Sequence, residues 1–582
     1  MSAIFPNHQW QLPVTEEEKI KELVRTTNLP PIIIQLLYHR GCRTAEECRE
    51  FINPSAARLH RPDTLPDINL ATERIISAIE NQEAILVYGD YDVDGICGTA
   101  ILVSTLKKLG GVVTYYLPHR QNEGYGISRA GIEHAIRHGI KLIITTDCGS
   151  SDIENLQLAR DAGIDVIVTD HHEPNTASLP ALAFVNPKRQ GSDYPFRELS
   201  GAGVAFKLAW QLLASLKSPK EELIALLDLV GMATIADVVP LVGENRIIAR
   251  LGLLALSKTN RPGIKALLTT SRLYSRKLST RDIAFVIAPR INAAGRVSHA
   301  QLALELLLTE DDDTAINLAY QLEEFNRVRQ RLEDIIFTEA RRLIIDGAKQ
   351  EQRVLVLARP GWNEGVIGIV ASKLTEEFWR PCILISLNGE IGKGSGRSIS
   401  GFNLYEALEK TKDHLISFGG HCYAAGIKIK RDLIPLFENA INQYASLLPE
   451  STFQPTLKID AIANLDDITP ELLQHLAQLQ PFGPDNPEPV FASTGLEIVG
   501  YPQRIGKNKD HLKFKVRSGN TVVSVIAWNR SRDILNLRIG QPGYLDICYT
   551  LANGTFNCNN RVQLKLLDLR TAGNNNLSDL SC

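Results

Sequence analysis

Three apolar segments of this chain run directly into acidic residues, and the third also ends in two histidines. They are 84–89 followed by Asp90, Asp92 and Asp94, 141–146 followed by Asp147, and 165–169 followed by Asp170, His171 and His172. Carboxylates that lie close together repel one another unless cations lie between them. A mixed set of carboxylate and imidazole ligands suits Mn²⁺ or Mg²⁺. The three segments therefore predict a site for two divalent cations.

The elements that must position these residues are short strands. Runs rich in β-branched residues, bounded by glycine and alternating with helical stretches, are typical of parallel strands. Ligands of such sheets bind outside the carboxyl ends of the strands. We therefore expect an α/β domain over residues 71–310 whose sheet edge collects the aspartates and histidines.

A fourth segment, 231–240, adds Asp237 at the end of an apolar helix. A carboxylate at that position meets the unfavourable end of the helix dipole. An acid placed against the local field usually has a partner, and a metal ion would serve as one.

Each segment taken alone has a simpler interpretation. The Asp90–Asp94 turn resembles part of a calcium loop, but its glycine falls too early and no glutamate closes the loop. Asp147 alone would suit a helix N-cap, and a histidine pair alone would suit a solvated surface. The joint occurrence of the segments at strand ends favours the metal site.

Length and composition limit the class of protein. A chain of 582 residues predicts three or four domains. A formal net charge of −3 argues against binding nucleic acid over the whole surface, so such binding requires local basic patches. Nine cysteines without a Cys-x-x-Cys pair fit reduced thiols, and no leader or membrane-spanning run is evident. We expect a cytoplasmic protein that does not act at a membrane.

The pattern along the chain predicts several further regions. We expect an N-terminal helical segment over 1–70, a long connecting helix over 311–350, a smaller α/β domain over 351–450, a β-barrel over 455–570 and a disordered tail over 571–582. The predicted fold class is therefore α/β, with a parallel-sheet domain and a smaller α/β domain joined by a long helix, and a C-terminal barrel.

At 89–95, Asp147, 170–172 and Asp237 the sequence resembles the DHH phosphoesterase superfamily. Four further segments resemble the RecJ family of single-strand-specific DNA exonucleases: 290–296, 361–368, 394–398 and 419–426. The segment 481–491 resembles the start of the OB-fold in that family. The likeness covers roughly residues 15–570. It implies that the three folded units are a DHH catalytic domain, a DHHA1-type substrate-binding domain and an OB-fold.

The resemblance also implies roles at the cation site. Asp92 and Asp147 would hold one ion, and the other would be held by Asp94, Asp147, His171 and Asp237. Asp90 and His172 would be catalytic, with His172 near the scissile phosphate and Asp90 either a direct or an outer ligand. Paired cations activate a water and stabilise the leaving oxygen in phosphodiester hydrolysis.

Other residues are candidates for holding the substrate. The run 394–398 is interpreted as a flexible turn that exposes backbone N–H groups beside a guanidinium, although an ordinary glycine-rich hairpin has the same composition. With the resemblance, Ser395, Arg397 and Arg296 become candidates for binding a 5′-terminal phosphate.

Aromatic and basic residues extend this set. Arg120 and Tyr125 suit backbone contact and base stacking, although Tyr125 suits a core position equally well. His421 suits a substrate-side or interdomain position. In the barrel, Phe514 is interleaved with basic residues. The basic residues are Arg504, Lys507, Lys509, His511, Lys513 and Lys515. This composition suits binding of single-stranded nucleic acid, but it is also found on an ordinary solvent face.

The resulting functional prediction is a 5′→3′ exonuclease that uses Mn²⁺ or Mg²⁺, degrades single-stranded DNA to 5′-mononucleotides and acts in DNA repair and recombination. We expect a monomer whose protein partners are a single-strand-binding protein and a helicase. One alternative is a phosphodiesterase for short RNA or cyclic dinucleotides. Another is an inactive replication scaffold, but that would have eroded metal motifs, whereas this chain retains all of them.

Overall fold

A computed structural model describes residues 8–120, 122–174, 178–531, 545–553 and 562–571. Most of the tail predicted to be disordered, 571–582, lies outside these ranges. Within them, no helix combines the length and the apolar character that crossing a membrane requires. The chain begins with a short strand and three amphipathic helices. These are β1 (Gln9–Gln11), α1 (Glu17–Thr27), α2 (Pro31–His39) and α3 (Ala45–Ile52).

The next unit is the predicted parallel-sheet domain. Its first half holds α4 (Ile68–Glu80), β2 (Ala84–Gly89), α5 (Val93–Lys108), β3 (Val112–Tyr116), α6 (Arg129–Arg137), β4 (Leu142–Thr146), α7 (Ile153–Asp161), β5 (Asp165–Thr169) and β6 (Ala183–Val185). The five strands pair in the order β3-β2-β4-β5-β6, and every pairing is parallel.

Both faces of this sheet are buried, as parallel sheets require. On β2, Ile85 and Val87 pack with α4, α5 and α8 (Gly201–Ser215), whereas Leu86 and Tyr88 pack with α6 and α7. The alternation of side chains along the strands therefore fixes helices on both faces and leaves the strand ends to carry polar residues.

The rest of this domain is helical. It comprises α9 (Lys220–Ile224), α10 (Leu227–Ala236), α11 (Gly243–Leu256), α12 (Pro262–Thr270), α13 (Thr280–Asp282), α14 (Ala288–Val297) and α15 (Gln301–Leu308). The long helix α16 (Asp312–Asp346) then leads into the second α/β unit, as the sequence predicts.

The second α/β unit is built on a mixed sheet. Its elements are β7 (Leu355–Pro360), α17 (Ile367–Phe378), β8 (Cys382–Asn388), β9 (Ile391–Arg397), α18 (Leu404–Lys410), β10 (Ser417–Gly420), β11 (Ala424–Lys430) and α19 (Ile434–Ser446). The strand order is β10-β11-β9-β8-β7, in which only β7 and β8 are parallel.

The interpretation of 394–398 as a flexible turn is wrong, because residues up to Arg397 belong to β9 in the centre of this sheet. The glycines serve packing instead. A Cβ atom at Gly394 would lie 2.7 Å from Ile427 Cγ1, and one at Gly396 would lie 2.9 Å from Leu404 Cδ2. Glycine here lets neighbouring side chains cover the strand closely.

The C-terminal unit is the predicted barrel. Its elements are β12 (Thr456–Lys458), β13 (Ala461–Ile462), α20 (Pro470–Gln478), β14 (Phe491–Ile505), β15 (His511–Ser518), β16 (Thr521–Ala527), β17 (Leu545–Asn553) and β18 (Val562–Thr571). The order β14-β15-β16-β18-β17 closes because β17 also pairs with β14. This confirms the predicted α/β fold class with a terminal barrel.

The N-terminal helices share a hydrophobic core with the barrel, which the sequence did not predict. Leu23, Ile33 and Leu37 are buried in one cluster with Phe491 and Tyr549. In addition, β1 pairs in parallel with β12. The N-terminal helices and the barrel therefore form one structural unit.

Candidate metal centre and phosphate cleft

The acidic residues of the first three segments lie at one edge of the parallel sheet. Asp90 follows β2, Asp147 follows β4, and Asp170 with the two histidines follows β5. Because β2, β4 and β5 are neighbours in the sheet, their carboxyl ends meet. Asp237, at the end of α10, reaches the same point from the helical part of the domain.

His171 marks the centre of this cluster. Its Nε2 atom lies 3.2 Å from Asp147 Oδ1, 3.7 Å from Asp237 Oδ2 and 3.9 Å from Asp94 Oδ2. The possible ligand atoms form three overlapping groups in which all atoms lie within 4.8 Å of one another. These groups are Asp90–Asp92–Asp147, Asp94–His171–Asp237 and Asp147–His171–His172.

Several atoms of the cluster are buried without a hydrogen-bond partner among the described residues. They include one oxygen each of Asp90, Asp147 and Asp237, and His171 Nε2. Buried polar groups are normally paired, so each such group needs an explanation. Carboxylate oxygens and an imidazole nitrogen are ligands that Mn²⁺ accepts, and the donor set therefore fits divalent cations.

The pKa values of the cluster residues agree with a site for divalent cations. Burial, and after it the neighbouring carboxylates, raise the pKa values of Asp90, Asp147 and Asp237 well above the usual range. Burial and the charge of Asp92 raise the pKa of Asp94 to about 7. Burial, with His172 beside it, lowers the pKa of His171 to about 3, which keeps the imidazole neutral for ligation. Cations would replace the protons that the carboxyl groups otherwise retain.

Helix N-termini hold two of the carboxylates in place. Asp92 is the N-cap of α5, where its Oδ1 accepts hydrogen bonds from the N–H groups of Asp94 and Gly95. Asp94 accepts hydrogen bonds from Gly201 N at 2.5 Å and Ala202 N at 3.0 Å, at the start of α8. Negative charge is stabilised at these positions by the helix dipole.

The backbone at Asp147 is in the left-handed region, with φ of 63°. Non-glycine residues rarely adopt this conformation, and it is found most often at functional sites. A Cβ atom on Gly201 would lie 2.5 Å from Asp147 Cβ, so glycine is required there for the close approach of α8.

His172 is oriented by Asp170, a role that sequence reasoning missed. The Nδ1 atom of His172 lies 2.8 Å from Asp170 Oδ1, and the same carboxylate accepts hydrogen bonds from Ser150 N and His171 N. Burial opposes charge on His172, but the hydrogen bond to Asp170 raises its pKa. The two carboxyl oxygens of Asp170 thus face backbone amides and an imidazole, and they do not point to the place where the cation ligands converge.

Tyr125 lies at the rim of the cluster and is 51% exposed, so the core interpretation for it is wrong. Its hydroxyl donates to Asp147 O and lies 2.9 Å from His172 Nδ1. Tyr125 and His172 line a groove of about 700 Å³ together with Tyr405 and the exposed His421. No pattern in the sequence pointed to Tyr405.

A second cleft, of about 490 Å³, lies between the sheet domain and the second α/β unit. Arg120 and Ser395 line it together with Lys393 and Lys428. The guanidinium of Arg120 stacks over the Tyr91 ring at 4.7 Å. Lys393 and Lys428 were not among the predicted substrate contacts, and only their position beside this cleft brings them to notice.

Arg296 and Arg397 lie close to Arg120. Burial and, after it, the charge of Arg120 lower the pKa values of both, that of Arg296 to about 9. Arg296 donates to Gly365 O at 2.7 Å, and Arg397 donates to Ser395 Oγ at 3.1 Å. Within the described ranges none of these three arginines forms an ion pair with an acid. Converging guanidiniums without acidic partners fit a phosphate.

Known proteins match the chain over almost its whole length. The DHH family N-terminal domain matches residues 84–234, the DHHA1 domain matches 351–447, and the RecJ OB domain matches 459–568. The single-stranded-DNA-specific exonuclease RecJ of Haemophilus influenzae is 32% identical over 94% of this chain and 98% of its own length. The chain belongs to the RecJ family.

Other RecJ proteins extend the comparison. RecJ of Bacillus subtilis is 39% identical over 90% of this chain, which spans 66% of that protein's length. The crystal structure of RecJ in complex with Mn²⁺ from Thermus thermophilus superposes with a TM-score of 0.82 at 31% identity, over 97% of this chain and 79% of that one. A RecJ structure with Mg²⁺ from the same organism gives a TM-score of 0.76.

Removal of divalent cations should destabilise the protein, and more at pH 8 than at pH 6. The pKa of Asp94 is about 7 in the folded chain, against about 3.9 in an unfolded one, so the folded state retains a proton that the unfolded state loses. The stability of the cation-free protein therefore falls as the pH rises from about 4 through 7. Mn²⁺ at 100 times its Kd should restore about 2.7 kcal/mol.

Melting temperatures with EDTA and with Mn²⁺, at both pH values and constant ionic strength, would measure this. Equal melting temperatures with EDTA at pH 6 and pH 8 would contradict the prediction.

Proposed function

We propose that this chain is a metal-dependent exonuclease that hydrolyses single-stranded DNA from its 5′ end and releases 5′-mononucleotides. The observation that carries the proposal is the position of a divalent-cation site next to the cleft that Arg120 and Ser395 line, with Arg296 and Arg397 close to Arg120. None of these three arginines forms an ion pair with an acid within the described ranges. The relatives at 32–39% identity are single-stranded-DNA-specific exonucleases. The role in repair and recombination is consistent with this family.

The cluster divides into two cation sites that share Asp147. Asp92 and Asp147, with Asp90 beside them, would hold one Mn²⁺ or Mg²⁺. The other would be held by Asp94, Asp147, His171 and Asp237. When bound, the two cations lower the pKa of a water and stabilise charge on the phosphoryl and leaving oxygens. His172, held by Asp170, donates a hydrogen bond toward the phosphate.

The arginine cleft would set the direction of cleavage. A terminal 5′-phosphate in contact with Arg397, Ser395 and Arg296 leaves the next diester bond beside the carboxylates. Water attacks the phosphorus of the diester between the first and second nucleotides, and the bond from that phosphorus to the 3′-oxygen of the first nucleotide breaks. The first nucleotide leaves as a 5′-mononucleotide. The shortened strand then carries a new 5′-phosphate, which fits the same cleft.

The barrel would extend the path of the strand, although not through the predicted aromatic. Phe514 is 3% exposed and points into the barrel core, because it alternates with outward Lys513 and Lys515 on β15. Among the described residues of the barrel, the exposed aromatic residues are Tyr501 and Trp528, which are 86% and 52% exposed. The His511 ring lies 4.6 Å from the Trp528 ring. Exposed rings beside lysines suit stacked bases and a phosphate backbone.

The alternatives fit less well. A phosphodiesterase for short RNA or cyclic dinucleotides has little use for a barrel with a basic, aromatic outer face. An inactive scaffold would not retain a buried cluster of unpaired carboxylates, which costs stability. A monomeric state, a cytoplasmic location and partnership with a single-strand-binding protein and a helicase remain predictions from the sequence.

Replacement of the shared carboxylate tests the cation assignment. Asp147→Asn keeps the side-chain shape and tolerates the left-handed backbone, but it removes the charge that faces both ions. We expect kcat on 5′-labelled single-stranded DNA to fall by at least about 100-fold, because even outer contacts of metal ligands cost up to about that much. The exposed Asp161→Asn should leave kcat unchanged. Near-normal cleavage by Asp147→Asn would exclude a shared cation ligand.

Replacement of Arg397 tests the phosphate cleft. Arg397→Ala should reduce kcat/KM for 5′-phosphorylated DNA by about 10- to 150-fold more than for 5′-hydroxyl DNA, because a charge-assisted hydrogen bond contributes about 1.5–3 kcal/mol. The exposed Arg342→Ala is the matched control. An equal loss on both substrates would assign Arg397 to the fold or to the backbone path.

The barrel face is best tested by substitution, because deletion of 455–570 would also expose the core that α1–α3 share with the barrel. Log affinity for a long single strand falls linearly with log salt. Lys513→Ala/Lys515→Ala should make this negative slope shallower by about 0.7 per lost phosphate contact. Cleavage of short oligonucleotides should not change. Lys19→Ala/Lys21→Ala on α1 is the control, and an unchanged slope would show that this face does not contact DNA.

A further inference from the structure

The chain that follows Asp237 adopts a strained conformation. Val238 has φ of 65° and is 66% exposed, although a β-branched residue strongly disfavours the left-handed region. Because most of its side chain lies in solvent, packing offers little compensation for the strain. Such a conformation persists only when the surrounding structure fixes the chain on both sides. On one side the chain is fixed by α10, which ends at Ala236.

On the other side the chain is fixed by the core of the sheet domain, which includes Leu241, and by the C-terminal unit. Leu241 is 1% exposed, and its N–H donates to Pro484 O at 2.8 Å. Gly483 lies so close that a Cβ atom on it would be 2.6 Å from Leu241 Cδ1. The loop 480–487, which connects α20 to the barrel, therefore packs directly on the segment that carries Asp237.

This loop is itself held rigidly. Arg246 on α11 is 2% exposed and donates hydrogen bonds to the carbonyl oxygens of Gln478, Leu479, Gln480 and Pro481, over 2.8–3.4 Å. Thr280 donates to Phe482 O at 2.8 Å. A charged donor that holds several carbonyls is not easily displaced.

Asn486 stabilises the loop through hydrogen bonds with Leu479, Pro481 and Arg40. It is fully buried, and its Nδ2 donates to Leu479 O and Pro481 O at 2.9 and 2.8 Å. Its Oδ1 accepts from Arg40 Nε at 2.7 Å, at the end of α2. The loop thus joins the N-terminal helices, the barrel and the sheet domain at one point.

We infer that loop 480–487 is a positioning element for Asp237. It sets the occupancy of the cation site formed by Asp94, Asp147, His171 and Asp237, whereas the site formed by Asp90, Asp92 and the shared Asp147 depends on the sheet domain alone. The inference rests on the proposed function, because it assumes that Asp237 binds a cation. It gives a role to the segment 481–491, which hydrolysis itself does not use.

The difference between the two sites follows from the elements that carry their ligands. Asp90, Asp92 and Asp147 stand at strand ends or at the start of α5, inside the sheet domain. Asp237 stands at a helix end whose continuation is held from two sides. Asn245 of the sheet domain donates to Pro240 O at 3.1 Å, and one residue later Leu241 is held by a loop of another domain. A shift of that loop would move Asp237 and leave the first group in place.

The test counts Mn²⁺ ions bound by the full-length protein, from the free-ion signal in electron paramagnetic resonance titrations. Gly483→Ala places a methyl group against Leu241. We expect the ion that Asp237 binds, here called the second ion, to lose at least tenfold in affinity, while the other ion binds as in the unsubstituted protein. In Gly483→Ala/Leu241→Ala the obstructing side-chain atoms are absent, and the affinity of the second ion should recover to within about threefold.

Glu488→Ala is the matched control in the same segment, since Glu488 is exposed and lies away from Leu241, and it should bind both ions normally. Melting temperatures establish that each variant is folded. Unchanged binding of both ions by Gly483→Ala, an equal loss of both, or failure of the double variant to recover would overturn the inference.

Asp237→Asn separates this inference from the proposed function. Loss of one ion in Asp237→Asn, with normal binding in Gly483→Ala, would reject only the positioning role. Normal binding of both ions by Asp237→Asn would reject the cation assignment on which the inference rests.

Discussion

The structure depends on the concentration of negative charge at one edge of the parallel sheet. Asp90, Asp94, Asp147 and Asp237 converge in a buried pocket, and no lysine or arginine in the described ranges forms an ion pair with any of them. Two unit charges 4 Å apart repel by about 4 kcal/mol even at an effective dielectric constant of 20. Helix N-termini offset only part of this cost, and bound cations offset the rest.

The sequence predicted this edge because its signals are local. A β-branched run followed by aspartate, repeated three times, places carboxylates at neighbouring strand ends whatever the rest of the chain does. The residue that orients His172 was harder to recognise, since Asp170 has the same sequence context as the ligands. Only its hydrogen bonds to backbone amides distinguish it from Asp147.

Features that depend on distant parts of the chain were predicted less well. Glycines at 394 and 396 indicate a turn by composition, but their reason is the side chains that cover β9, which come from other strands and helices. The core shared by α1–α3 and the barrel joins residues more than 400 positions apart, and no local pattern reveals it. The orientation of Phe514, by contrast, follows from the two-residue period of its strand, which was open to inspection in the sequence.

The cation cluster lies in one domain, but the selection of substrate does not. Paired cations hydrolyse many phosphodiesters, so a preference for a 5′-phosphate and a single strand must come from groups other than the cation ligands, and part of them lies outside the sheet domain. Arg397, which we propose binds the terminal phosphate, belongs to the second α/β unit. The α17 helix of that unit is tied to the connecting helix through Lys373 and the buried Glu333, 2.6 Å apart. The Lys373 side chain is 46% exposed, so this pair adds little net stability and serves mainly to link the two elements. The positions of the domains relative to one another are therefore part of the active site, and the charged contacts at their junctions contribute to function mainly by holding these positions.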